Sequence, residues 1–249
     1  MKPTFGNDHK YLGMKIKVTE DKKVIIDMRD QIREIISDYG QEINGTASTP
    51  AARHLMMVND NATKLVGKKK EHFHSLTAKL LYLEKRARPD IETAIAFLTT
   101  RVSVPDEDDW KKLVRVLTHL NTTIDLLRTI GCSNLDQLFT WIDAAFVVHP
   151  NMRLYTGGAM SLGWGVLHAK SSKQKLNTKS LREAELVGMS GYISYNIWLV
   201  NFLKEQGYKI KENIIYQDNE STIRMKRNGR NLCTGNSRHI DIRYFFCKR

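Results

Sequence analysis

Apolar and polar residues alternate from Tyr11 to Val18 and again from Lys23 to Met28, with the turn-forming Glu20 and Asp21 between them. That pattern predicts a β-hairpin. The period then lengthens. Ile32, Ile35 and Ile36 fall on one face of a helix that Gly40 ends. Residues 41–70 lose the rhythm and gain Asn, Thr, Gly and Lys, with a break at Thr49 and Pro50, so they read as a connector. Three helical repeats follow between Glu71 and Ile130. Phe73, Leu76, Leu80 and Leu83 line the first, and Ile91, Ala94, Ile95 and Leu98 line the second, which is entered at Pro89. Trp110, Leu113, Val114, Leu117 and Leu120 line the third, introduced by Pro105 and the acidic residues Asp106, Glu107, Asp108 and Asp109. Consecutive carboxylates in a first helical turn point in different directions and suit the positive end of the helix dipole. The cluster therefore reads as a helix start rather than a metal site.

From Leu135 the pattern shifts to short extended runs. Leu138 to Val148 predicts a strand, Gly157 and Gly158 a turn, Gly163 to Ala169 a second strand and Gln174 to Thr178 a third. A long helix opens at Ser180, where Ser180 and Glu183 have capping-box spacing. Its expected buried stripe is Leu186, Met189, Ile193, Ile197 and Val200, and Gly207 marks its end. Asn213 to Gln217 predicts a fourth strand, Asn219 to Arg227 a short helix and His239 to Lys248 a last one. Strands interrupted by a long helix imply a mixed α/β fold, a mixed sheet with helices packed on it.

Composition narrows the partners. With 41% apolar residues and five prolines among 249, the chain can bury a core of one or two domains, which excludes wholesale disorder. No run is long enough for a membrane span, and MKPTFGNDHK lacks the apolar stretch of a secretion signal, so an intracellular protein is expected. Cys132, Cys233 and Cys247 lack the paired spacing of a zinc or redox site and read as free thiols. The formal charge is +12, and most of that excess lies beyond Asp143. Such a field attracts polyphosphate, making nucleic acid the first partner to consider; a solvated basic surface is the plainer alternative.

Three carboxylates stand where apolar elements rarely carry charge. Asp143 interrupts Phe139, Trp141 and Ile142, Glu185 falls in the first turns of the long helix, and Asp218 ends the run Ile214, Ile215 and Tyr216. If the first and fourth strands are neighbours, Asp143 and Asp218 emerge side by side within reach of Glu185. Three converging carboxylates repel unless cations fill the space, and oxygen-only ligands favour two ions of Mg²⁺ or Mn²⁺. Taken singly, Asp218 also fits a helix cap and Glu185 a favourable dipole contact.

The stretch TWIDAAFVVHPNMRLYTGGAMSLGWGVLHAKSSKQKLNTKSLREAELVGMSGYISYNIWLVNFLKEQGY, followed by IIYQDNESTI and SRHIDIRYFF, resembles the ribonuclease H region of a copia-type retrotransposon polyprotein. Upstream, HKYLGMKI, STPAARHL, LLYLEKRARPDIETAIAFLTTRV and DDWKKLVRVLTHL resemble the segment between the polymerase site and ribonuclease H in the same polyproteins. The resemblance implies a reverse transcriptase C-terminal, thumb-connection-like segment over residues 1–133. Residues 134–249 would then be a ribonuclease H-like mixed sheet truncated at its C-terminus. It also implies that Asp143 of Trp-Ile-Asp-Ala, Glu185 of Glu-Ala-Glu-Leu and Asp218 of Tyr-Gln-Asp-Asn are catalytic and hold Mg²⁺ or Mn²⁺ against the RNA strand of an RNA/DNA hybrid. The partner would be that hybrid or another nucleic acid, together with the rest of the retroelement polyprotein, in a cytoplasmic virus-like particle or the nucleus.

Two departures temper this. No Tyr-x-Asp-Asp polymerase motif occurs, so DNA polymerisation is not expected. The family pattern continues past HIDIRYFF into a strand and a helix carrying a fourth carboxylate, whereas this chain stops at Arg249; Asp241 reads as structural rather than as that ligand. An inactive remnant that at most binds nucleic acid therefore remains the alternative. Arg238, His239, Arg243, Lys226, Arg227 and Arg230 form a basic end suited to phosphates or simply to solvent. Tyr155, Trp164 and Trp198 could stack on sugar or base, but aromatic residues at strand and helix spacing read more readily as core.

Overall fold

The computed structural model describes residues 5–145, 155–174, 181–220 and 223. The described residues fall into two compact units, one within Met1–Gly131 and Trp164–Val166, the other within Cys132–Gly163 and Leu167–Arg249. The mixed α/β class expected from the sequence is the class observed.

In the first unit, β1 (Asp8–Tyr11), β2 (Met14–Val18) and β3 (Val24–Asp27) form an antiparallel meander. Helices α1 (Arg29–Tyr39) and α2 (Gly67–Arg86) come next, then a 3₁₀ turn at Pro89–Ile91 that runs into α3 (Glu92–Thr99). Helix α4 (Glu107–Thr122) and strand β4 (Arg128–Cys132) complete the run, with β4 antiparallel to β3. The single predicted hairpin is thus two hairpins, because the run Tyr11 to Val18 hides a turn at Leu12 and Gly13, both at positive φ. Helix α2 begins at Gly67, so the connector is shorter than its composition suggested.

The helical core is made by the predicted stripes. Ile32, Ile35, Phe73, Leu76, Leu80, Leu83, Ile91, Ile95, Leu98, Leu113, Leu117 and Leu120 are all buried. On α4, Val116 is fully buried while Val114 is half-buried. The acidic run does start this helix: the Asp106 carboxylate accepts from the amides of Asp108 and Asp109, and the Asp109 carboxylate accepts from the Asp106 amide. Arg101 pairs with both Asp106 and Asp109, which keeps these buried carboxylates compensated.

The second unit contains β5 (Gln137–Ala145), β6 (Tyr155–Ser161), β8 (His168–Lys173), α5 (Leu181–Glu205) and β9 (Glu212–Tyr216), whereas the short β7 (Gly163–Trp164) ends the first sheet, beside β4. Its four-stranded sheet has the order β8-β6-β5-β9, antiparallel except for the parallel pair β5 and β9. A parallel neighbour requires a crossover, which α5 supplies by packing across the sheet. Leu138, Ile142, Met160, Met189, Tyr192, Leu199 and Leu203 form the core between them.

Several expectations change here. Gly157 and Gly158 lie inside β6, not in a turn. Tyr192 presses on Gly158 so closely that a Cβ there would stand 2.3 Å from the ring, so the glycine marks a close approach. The predicted strand Gly163 to Ala169 is split between β7 and β8, and Gln174 follows β8 rather than opening a strand. On α5, Ile197 is 40% exposed and Asn196 takes the inward place. Asn196 donates to Thr140 Oγ1 and Asn213 Oδ1, each at 2.8 Å, and Asn213 returns a 2.7 Å bond, so this polar cluster ties helix to sheet. Beyond Gly207 the chain closes α5 with bonds from Gly207 N to Lys204 O and from Tyr208 N to Leu203 O. The expected cap at Ser180, residues 175–178 of the third predicted strand, and most of the helices at Asn219 to Arg227 and His239 to Lys248 lie outside the described residues.

Candidate metal centre

Strand β5 alternates along its length: Leu138, Thr140, Ile142 and Ala144 are buried, whereas Trp141 and Asp143 are exposed. In the parallel register Trp141 lies opposite Tyr216, so Asp143, on β5, and Asp218, just past the end of β9, each stand two residues beyond that pair. The third carboxylate comes from α5, where Glu185 is buried on the side that meets the sheet. One turn later Gly188 lets the helix approach, since a Cβ there would lie 2.8 Å from Thr156 Oγ1 and 3.4 Å from the Ala144 Cβ. These three elements bring one oxygen from each of Asp143, Glu185 and Asp218 within 4.8 Å of one another.

The three carboxylates differ in their surroundings. Asp143 and Asp218 face solvent, and Glu185 does not. Burial pushes the Glu185 carboxyl above its ordinary range, and the charges of Asp143 and Asp218 push the same way; hydrogen bonds from Gln217 and the Ala144 backbone oppose the shift. Gln217 Nε2 donates to Glu185 Oε2 at 3.0 Å, and Gln217 Oε1 accepts from the Asp218 amide at 2.8 Å. One side chain thus ties the Glu185 carboxylate to the backbone at Asp218. Gln217 and Gly188 went unnoticed in the sequence because neither carries charge or fits an apolar stripe.

The donor set suits a hard divalent cation. It contains three carboxylate oxygens with no nitrogen or sulfur ligand among the described residues. The spread of 4.8 Å exceeds the roughly 4.2 Å across an octahedral Mg²⁺ by less than an ångström, which rotation of two exposed aspartates can close. Apposed carboxylates with no cationic side chain paired to any of them among the described residues are the arrangement that such an ion stabilises.

Other candidates are placed differently. Tyr155 is buried, as expected, but Trp164 and Trp198 are more than half exposed. Trp164 lies under Lys23 Nζ, 3.9 Å from the ring centroid, and Trp198 stacks on Phe202. Cys132 is a free thiol. Cys233, Cys247, Asp241 and the basic residues Lys226, Arg227, Arg230, Arg238, His239 and Arg243 lie outside the described residues. Among the described residues no helix is long and apolar enough to cross a membrane.

Fold and site together define a mixed-sheet α/β unit with three carboxylates gathered at the C-terminal ends of two parallel strands. No protein-family model matches the chain. Among curated proteins it is 27% identical, over 98% of its length, to a retrovirus-related Pol polyprotein from transposon TNT 1-94 of Nicotiana tabacum. It is 27% identical over 81% of its length to the corresponding polyprotein of transposon RE2, and 24% identical over 96% to that of transposon RE1, both of Arabidopsis thaliana. The chain spans less than a fifth of each relative, at 18%, 14% and 16% of their lengths. Over most of its length, then, this chain aligns with one segment of a copia-type retrotransposon Pol polyprotein.

Proposed function

We propose that the second unit hydrolyses the RNA strand of an RNA/DNA hybrid, with Asp143, Glu185 and Asp218 as the ligands of two Mg²⁺ or Mn²⁺ ions, and that the first unit derives from the reverse transcriptase region preceding it. The observation that carries the reading is the meeting of three carboxylates from β5, α5 and the end of β9 within 4.8 Å. Motif resemblance and similarity to Pol polyproteins across most of the chain support it.

Ions bound there would activate water on one side of the scissile phosphodiester and stabilise the departing oxygen on the other. The protein supplies the arrangement. Asp143 and Asp218 present oxygens toward solvent, where a phosphodiester can arrive, while Glu185 anchors the site from below. Gln217 keeps the Glu185 carboxylate turned toward the aspartates and is a positioning residue. Because the ligands belong to a packed helix, a paired strand and the segment just past a second paired strand, the charge-stabilising groups are in place before substrate binds.

The test uses the full chain with a labelled RNA/DNA hybrid and Mg²⁺ or Mn²⁺. RNA cleavage that falls by at least about 100-fold on Asp218→Asn, as for loss of one electrostatic stabiliser, is the expected result. Cleavage retained when all three carboxylates are replaced would reject the assignment. Hybrid binding with a steep salt slope and no cleavage under either ion would favour an inactive nucleic-acid-binding remnant instead.

A further inference from the structure

A pocket of about 230 Å³ opens in the first unit between the segment Pro50–Leu55 and one face of α4. His54, Asp108, Lys111, Lys112 and Arg115 supply its polar wall. Two of these charges cancel. Lys112 Nζ lies 2.9 Å from Asp108 Oδ2 and also donates to the carbonyl of Met57. Lys111 and Arg115 are left, one turn apart on the same helix face, and neither has an ion pair among the described residues. Like charges at that spacing repel, so the bare helix gains nothing from placing them together.

Arg115 is committed on one side only. Its Nη2 donates to Thr49 Oγ1 at 3.0 Å, while its Nε is buried with no hydrogen-bond partner. A guanidinium left partly unmatched beside a second unpaired cation carries an unmet demand for negative charge. The volume is below the roughly 300–1,000 Å³ of pockets for drug-sized ligands, which favours a compact anion. We propose that this pocket binds a phosphate group, with Lys111 and Arg115 as its cationic wall and His54 at its rim. The overall charge of +12 makes a nucleic-acid backbone phosphate one natural source, and free phosphate is the other.

The experiment uses the full chain carrying Asp218→Asn, so that a hybrid is not cut and the outcome is independent of the proposed catalysis. Inorganic phosphate, titrated against chloride at matched ionic strength, should shift the Arg115 Nε–H resonance saturably. Lys111→Gln, at an exposed position, should weaken phosphate roughly tenfold, the order of one charge-assisted contact. If the phosphate arrives on nucleic acid, Lys111→Gln and Arg115→Lys should each lower the log–log salt slope for a short RNA/DNA hybrid, by about 1 for the lysine. Loss of phosphate binding with an unchanged hybrid slope supports the site and assigns it to a free anion. No phosphate-specific shift, together with unchanged hybrid binding in both variants, overturns the proposal.

Discussion

Asp143 was legible because a charge in an apolar strand is costly without a partner, and Glu185 and Asp218 because they sit in motifs that resemble known ones. Gly188 was not, since its role lies in the space it leaves. A Cβ there meets the Thr156 side chain at 2.8 Å and 3.1 Å, and Thr156 is itself held by Gln174 Nε2 at 2.9 Å. Gly188→Val should therefore destabilise the second unit by about 1–3 kcal/mol, the usual cost of overpacking, and weaken the proposed Mg²⁺ binding as Glu185 is displaced. Gly191→Ala is the matched control. It has no atom within 4 Å of its added Cβ and should stabilise by up to about 1 kcal/mol through helix propensity. Urea melts of both variants, with an ion titration, check the pair; equal effects would show that the close approach at Gly188 is not limiting.

At the level of the element, periodicity located every helix in the described residues but misassigned faces where polar groups are buried. Apolar spacing put Ile197 inside α5, whereas the Asn196, Thr140 and Asn213 bonds turn the helix so that Asn196 is buried and Ile197 exposed. A pattern of hydrophobic residues carries no trace of a satisfied amide. Strand boundaries failed for a related reason, as the small residues of β6 accommodate Tyr192 rather than a turn. On α2, Glu84 is similarly hidden from pattern reading. It shares Lys85 with Glu92, at 3.1 Å and 2.8 Å, and burial foremost, then Glu92, pushes its carboxyl up to about 8 from an ordinary 4.5. The folded unit thus holds that proton more tightly than the unfolded chain. The stability this confers is complete below about pH 4.5 and declines as pH rises toward 8. Thermal melts between roughly pH 5.5 and 9 should show that decline, and Glu84→Gln, which keeps the shape without the charge, should flatten it. A variant declining as steeply as the parent would contradict this account.

For the whole molecule, the change of rhythm near Leu135 falls close to the division at Cys132 but carries no sign that Trp164–Val166 belong to the first unit, and the parallel pairing of β5 and β9 was only a condition the site required. The second unit carries concentrated negative charge within a chain of net charge +12. A ligand that binds the folded form alone stabilises it by mass action. Saturating Mg²⁺ should therefore raise the stability of the second unit, by about 1.4 kcal/mol at ten times its dissociation constant. Differential scanning calorimetry with and without EDTA reads this directly. Glu185→Gln should abolish the gain, and a gain surviving in that variant would locate the ion elsewhere.

The neighbouring strands β5 and β9 are separated in sequence by the entire length of α5. Contacts that distant form late, because the intervening chain must first be gathered in. During synthesis or refolding, the helices of the first unit can become native while the carboxylate cluster does not yet exist, and only the docking of β9 creates it. Ion affinity should consequently appear after the bulk of the helical signal in a refolding time course, a kinetic signature of a site written into two ends of one crossover.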